Sequence, residues 1–283
     1  MKVKKTKLSL IKQNWLSYVV LIPWCLFTIG IFLWLLLAAL KTNQELYENM
    51  WGIPKTLILS NFSKAWSVAH IGNYFGNSLF VVGVSVLLTL LIGGMGAYAL
   101  ARKNFFGNNV ILYSLIAGMG VPVQLIIVPL FMLLNSLKLT NHHFGLIIAY
   151  ISYSLPFTTF LLASFFRTLP TELEESAALD GASDLIIFWR IVVPISAPAF
   201  ITAAIFNFIS LWNEYLLALV LLGNQDQWTV SLGLYNLRAV MGSTADWTAL
   251  FAGVVIILIP SFLLYVFLSD RVIAGMTLGA TKG

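Results

Sequence analysis

Charged side chains are scarce in this chain. Asp, Glu, Lys and Arg together make up 10% of 283 residues, where a water-soluble domain carries about a quarter. So few charges cannot cover the surface of even one soluble domain, which excludes a soluble globular protein. Cys25 is the only cysteine, which excludes a disulfide framework and a thiolate metal cluster. His70, His142 and His143 have no Cys or carboxylate set at metal-ligand spacing around them, so no metal site is expected. The chain has no Gly-x-x-x-x-Gly-Lys-Ser/Thr run, and the glycine cluster from Gly275 to Gly283 ends in Lys-Gly without a helix to follow. ATP therefore has no P-loop here. No Ser-His-Asp or paired-carboxylate arrangement emerges in a plausible aqueous pocket.

What is present is apolar. Hydrophobic residues make up 59%, aromatics 14%, and the mean hydropathy is +0.90. A bilayer core about 30 Å thick needs roughly 20 apolar residues in helix, and six stretches qualify: 15–40, 75–100, 109–135, 144–166, 198–222 and 248–268. The expected fold class is all-α integral membrane with six transmembrane helices, forming a single transmembrane domain over 1–283. The rest is too short for a separate catalytic domain. The first stretch has no small-residue cleavage site and is too long for a signal-peptide core, so it reads as an uncleaved anchor.

An even number of spans puts both termini on one side. Lys2, Lys4, Lys5, Lys7 and Lys12, Arg102 and Lys103, Arg167 and Arg190, and Arg271 and Lys282 place 11 basic residues on that side, against 5 opposite: Lys41, Lys55, Lys64, Lys138 and Arg238. By the positive-inside rule both termini face the cytoplasm, and the N-terminal lysines read as a cytoplasmic flank rather than a nucleic-acid patch. The outer segment from Lys41 to Tyr74 reads as a folded surface loop with short helices.

The inner loop, 168–195, is different in kind. From Pro170 to Asp180 a proline opens a helix, Glu172, Glu174 and Glu175 fill its first turn, and Gly181 stops it. A second helix follows from about Ser183, with Ile187, Phe188 and Ile191 on one face, until Pro194 breaks it. Small side chains beside the acidic turn would let a partner's backbone approach while carboxylates met basic groups. The residues alone equally allow a capped amphipathic helix lying on the membrane.

Within the spans, Glu214 is the only acidic residue, and at a bilayer centre it costs about 2.5 to 3.5 kcal/mol on insertion scales. It must face protein or water. With Asn213, Asn207 and Ser210 it could bond between helices, line a solute path or relay protons. Pro122 and Pro129, near Gly118, Gly120 and Gln124, mark the third span as a bendable, cavity-facing helix. Gly93, Gly94 and Gly96 read as close helix packing. Trp212 reads as packing, with stacking on a sugar the other option.

The run Glu175-Ser176-Ala177-Ala178-Leu179-Asp180-Gly181-Ala182, with Phe188 and Arg190-Ile191-Val192-Val193-Pro194 after it, resembles the EAA loop of ABC importer permeases; Ser176 stands where that motif usually has alanine. Asn77-Ser78-Leu79, Trp212-Asn213-Glu214-Tyr215 and Gly275-Met276-Thr277-Leu278-Gly279-Ala280-Thr281-Lys282-Gly283 resemble the carbohydrate branch, the maltose-type importers. The resemblance covers essentially the whole chain.

This resemblance implies the type I ABC importer permease fold and a non-catalytic, pore-forming subunit of the cytoplasmic membrane. Its implied partners are a second homologous permease, two cytoplasmic ATPases that carry ATP and Mg, and an extracytoplasmic sugar-binding protein. The inner loop becomes a coupling helix, with Glu174, Glu175, Ala177, Asp180, Gly181 and Ala182 at the ATPase contact and Thr281, Lys282 and Gly283 in an ATPase-directed tail. Gln124, Asn207, Ser210, Asn213 and Glu214 are the candidates for the solute path. A proton-coupled carrier using Glu214, a membrane-embedded enzyme, and a permease for a polyol or glycerophosphodiester are the alternatives.

Overall fold

The computed structural model describes residues 15–68, 70–243 and 245–280. Lys2, Lys4, Lys5, Lys7 and Lys12 and the tail residues Thr281, Lys282 and Gly283 lie outside these. The described residues form helices and no strand. They fall into two compact units, one joining the chain before residue 70 to Leu237–Ile256, the other joining His70–Asn236 to the chain from Ile257.

In the first unit, α1 (Trp15–Ala39) leads into α2 (Asn43–Glu48) and α3 (Ser60–Ser63), which runs on as a π-turn over Lys64–Val68. The segment after α1 is therefore a folded loop of short helices. Its anchor is Lys41, 1% exposed, whose Nζ donates to the carbonyls of Asn49 at 2.8 Å and Met50 at 3.2 Å just past the end of α2. A cation suits a helix C-terminus because the carbonyls there lack intrahelical partners. The buried Asn61 amide adds bonds to the carbonyls of Ala39 and Lys41.

The helices that follow are α4 (Ile71–Arg102), α5 (Asn108–Met119), α6 (Val123–Ser136), α7 (His143–Phe166), α8 (Glu172–Leu179), α9 (Asp184–Ile187), α10 (Ala197–Trp212), α11 (Leu216–Leu221), α12 (Val230–Ser243) and α13 (Trp247–Ala280). Four helices, α1, α4, α7 and α13, are each long and apolar enough to cross a membrane. Three expectations need correction. The third span is not one bendable helix but α5 and α6, meeting at 107°. Pro122 is extended there, with φ −61° and ψ 134°, and a residue preceding proline is kept out of the helical region, so the chain cannot continue through Val121. Pro129 sits inside α6 without breaking it.

The fifth span is likewise broken. α10 ends at Trp212 after 16 residues, about 24 Å of rise and short of the bilayer core, and α11 resumes at Leu216. Finally, Pro194 does not end the second loop helix. α9 runs on through a π-turn at Phe188–Val192 and a last turn at Val193–Ile195, and the 78° bend onto α10 comes at Ser196. In the π-turn the Val193 amide reaches back to the Phe188 carbonyl, a register shift that accommodates a residue lacking its own N–H.

α4 and α7 pack closely because small side chains face each other. A Cβ added at Gly93 would lie 3.1 Å from the Thr158 methyl, and one at Gly94 only 2.9 Å from the Phe200 ring of α10. At the Arg102 end of α4, Ala97, Tyr98, Leu162, Phe166, Ile187, Phe188 and Ala203 form a buried apolar cluster. That cluster is the floor under the loop 168–195.

Candidate functional site

α8 is the centre of the loop. Three acidic residues fill its first turn, where the unpaired amides and helix dipole favour negative charge. At its other end Gly181 has φ +83°, a conformation that strains any residue with a Cβ. There the Ala182 amide bonds to the Ala177 carbonyl and the Gly181 amide to the Ala178 carbonyl, both at 3.0 Å, the double bond of a Schellman turn. The turn re-aims the chain into α9.

The structure divides the acids from Glu172 to Asp180 into two sets. Glu172, Glu175 and Asp180 are exposed, as are Ser176, Ala178 and Gly181, and among the described residues no basic group pairs with these acids. Beside them Leu179 stands 89% exposed. Glu174 points the other way. Its carboxylate lies 2.8 Å from Arg102 Nε and accepts from the Tyr98 hydroxyl at 3.0 Å. Ala177 and Ala182 are half-buried against the apolar floor. Sequence spacing did not separate Glu174 from Glu175, and it missed Tyr98, Arg102 and Leu179. A leucine beside Asp180 at the end of an acidic helix was the available signal for the last.

A second feature is a cavity of about 920 Å³ at the bend between α5 and α6, walled also by α7 and α10. Gln124, Asn207 and Ser210 line it, together with Ser152, Tyr153 and Ser154. Phe157, Phe206 and Pro156 supply apolar faces, and no charged side chain lines it. The two aromatic rings meet edge to face with centroids 5.8 Å apart. Asn207 is buried, its amide donating to Thr158 Oγ1 at 2.7 Å. Small, neutral hydrogen-bonding groups beside aromatic rings suit a polar solute without charge.

Asn213 and Glu214 are not brought to this cavity. They occupy the break between α10 and α11, and the Asn213 amide bonds back to the Ile209 carbonyl at 2.8 Å. Glu214 caps α11: Oε1 accepts from the Leu217 amide at 2.7 Å and Oε2 from the Ala218 amide at 3.2 Å and the Tyr150 hydroxyl at 2.8 Å. Trp212 is packed, with its ring stacked on Phe208 and its Nε1 donating to the Ile257 carbonyl at 3.1 Å. Asn77 and Ser78 pin the start of α4 to the segment before α12, through the carbonyls of Asp226 and Trp228 and the amide of Val230. No group of three or more His, Cys, Asp or Glu able to hold a metal ion occurs among the described residues.

Residues 86–277 match the family described as binding-protein-dependent transport system inner membrane component. A diacetylchitobiose uptake system permease protein of Streptomyces coelicolor is 38% identical over 267 residues, spanning 94% of this chain and 88% of that one. An arabinooligosaccharides transport system permease protein of Halalkalibacterium halodurans is 33% identical, spanning 88% of this chain and 89% of its own. A chain in the crystal structure of a bacterial ABC transporter that imports the acidic polysaccharide alginate superposes with a TM-score of 0.81, covering 95% of this chain and 99% of that one at 21% identity.

Proposed function

Because this chain belongs to the family of inner membrane components of binding-protein-dependent transport systems, we propose that it is one of two permease subunits forming the pore of an importer for an uncharged oligosaccharide. Two cytoplasmic ATPases hold ATP and Mg, and an extracytoplasmic sugar-binding protein delivers the solute. Both termini and the inner loop face the cytoplasm. The observation that carries this reading is α8, whose outward face offers Glu175, Leu179 and Asp180 to a partner while Glu174 is held inward. A helix lying on anionic lipid would present basic groups instead.

On this reading ATP binding draws the two ATPases together and moves α8 with them. The helices then rock from an inward-open to an outward-open arrangement, sugar enters the cavity at the α5–α6 bend, and hydrolysis resets the cycle. The sugar assignment is supported by two independent facts: the names of the curated relatives and the neutral, aromatic-flanked lining of the cavity. The test is reconstitution. The chain, its partner permease, the ATPases and the binding protein in proteoliposomes should take up labelled neutral oligosaccharide on addition of ATP and continue in the presence of a protonophore. Uptake that collapses with the protonophore but runs without ATP would overturn the proposal.

A further inference from the structure

α8 is covalently tied to α7 and α9 but not to α4, which precedes it by 69 residues along the chain. Any movement of the loop reaches α4 only through side chains. Arg102 and Tyr98, four residues apart on one face of the last turns of α4, make that connection. Arg102 Nε lies 2.8 Å from Glu174 Oε1, and its Nη2 donates to the Leu169 carbonyl at 2.8 Å, just ahead of Pro170. The Tyr98 hydroxyl donates to the other Glu174 oxygen at 3.0 Å. The Tyr98 ring is itself wedged against Phe166 at the end of α7 and Phe188 at the π-turn, with centroids 6.5 and 5.4 Å away.

Burial separates this link from an ordinary surface ion pair. The Arg102 and Glu174 side chains are 10% and 14% exposed, whereas the neighbouring Lys103–Asp184 pair is 45% and 62% exposed. Exposed pairs contribute little and yield to water; a desolvated pair fixed by directed bonds at both ends holds one geometry. Apolar side chains would fill the same space without that desolvation cost. What they would lose is direction.

The geometry points to Arg102, Tyr98 and Glu174 as a strut that makes α4 move with the coupling helix. They are positioning residues. Through Gly93 and Gly94, α4 lies against α7 and α10, two walls of the solute cavity that the chain already joins to the loop, so the strut adds α4 to the elements that follow α8. This inference rests on the coupling role proposed for α8.

The experiment compares three variants in the reconstituted importer, reading assembly with the ATPases, ATP hydrolysis and sugar taken up per ATP. In the Arg102→Met, Glu174→Met double variant both buried charges are gone, so neither is stranded and folding is retained. It should assemble and hydrolyse ATP, with uptake per ATP lowered about tenfold, within the range of ordinary coupling energies. Lys103→Ala should leave the ratio unchanged. Glu175→Lys, on the outward face, should lose transport. Wild-type uptake per ATP in the double variant alongside failed Glu175→Lys overturns the strut alone; normal transport by Glu175→Lys overturns the coupling role beneath it. Loss of ATPase binding in the double variant would make Glu174 a docking contact and also reject the strut. Should the double variant fail to insert, Arg102→Lys with Tyr98→Phe supplies the same readout, and an unchanged ratio there counts equally against the idea.

Discussion

The Tyr150 hydroxyl donates to the Glu214 carboxylate at 2.8 Å, across the break where α10 stops and α11 starts. With the two amides of α11 this gives an acidic group in an apolar stretch three hydrogen-bond donors. Three donors tie it to the helix start, which is the task of a cap.

Glu214→Gln should therefore keep transport, because the amide oxygen can still accept from Leu217. Glu214→Ala strands the α11 amides and the Tyr150 hydroxyl and should lower stability by about 1–3 kcal/mol, the usual cost of unmade buried hydrogen bonds. Thermal unfolding in detergent reads the second effect and uptake reads the first. Loss of uptake by a fully assembled Glu214→Gln protein would return this residue to the solute path.

The cavity makes a separate prediction. Ser210 is exposed on its wall and bonds to nothing that α10 needs, so a larger side chain there enters open space. Ser210→Trp should leave assembly and basal ATP hydrolysis intact. It should slow sugar uptake about tenfold to a hundredfold, since overfilling a site costs about 1–3 kcal/mol. Unaltered uptake would place the solute elsewhere.

Asp246, just before α13, gives a pH signature. Burial alone would raise its carboxyl, but the Asn43 amide, the Ala249 N–H and Lys64 together hold it below the ordinary carboxylate range. A depressed folded value means stability that is present above the unfolded value of about 3.9 and lost as pH falls through the folded one. The first unit should thus loosen below about pH 4, seen as faster proteolysis or amide exchange in 43–64. Asp246→Asn should be looser at neutral pH and lose most of that dependence.

Hydropathy made the apolar stretches legible, because a bilayer imposes one requirement along roughly 20 consecutive residues. It did not make the breaks legible. Averaged over a window, Asn213-Glu214-Tyr215 disappears among its apolar neighbours, with no proline or glycine to mark it, although a carboxylate that caps a new helix is what ends the old one. Pro122 was visible, yet a proline does not say how far the chain turns, and the 107° between α5 and α6 depends on what packs around them. The helix, glycine turn and helix of residues 168–195 were legible, but not the point where the second helix ends. The facing of Glu174 was not, because Tyr98 and Arg102 come from a helix 72 or more residues earlier and no local spacing announces them.

Gly181 is where sequence and geometry agree most directly, and it yields the sharpest substitution series. Its φ of +83° is one that asparagine tolerates, alanine adopts at about 1–2 kcal/mol and proline cannot adopt at all. Proline would also remove the amide that bonds to the Ala178 carbonyl. No atom lies within 4 Å of an added Cβ, so steric crowding does not enter and the series reads backbone conformation alone. Gly181→Asn should transport nearly as wild type, Gly181→Ala should be weakened, and Gly181→Pro should insert normally but fail in uptake because α8 is no longer held in register with α9. The order of the three, measured as ATP-driven uptake at equal membrane levels, is the check. Full uptake by Gly181→Pro would mean that the aim of α8 does not matter to transport, and the coupling role would fall with it.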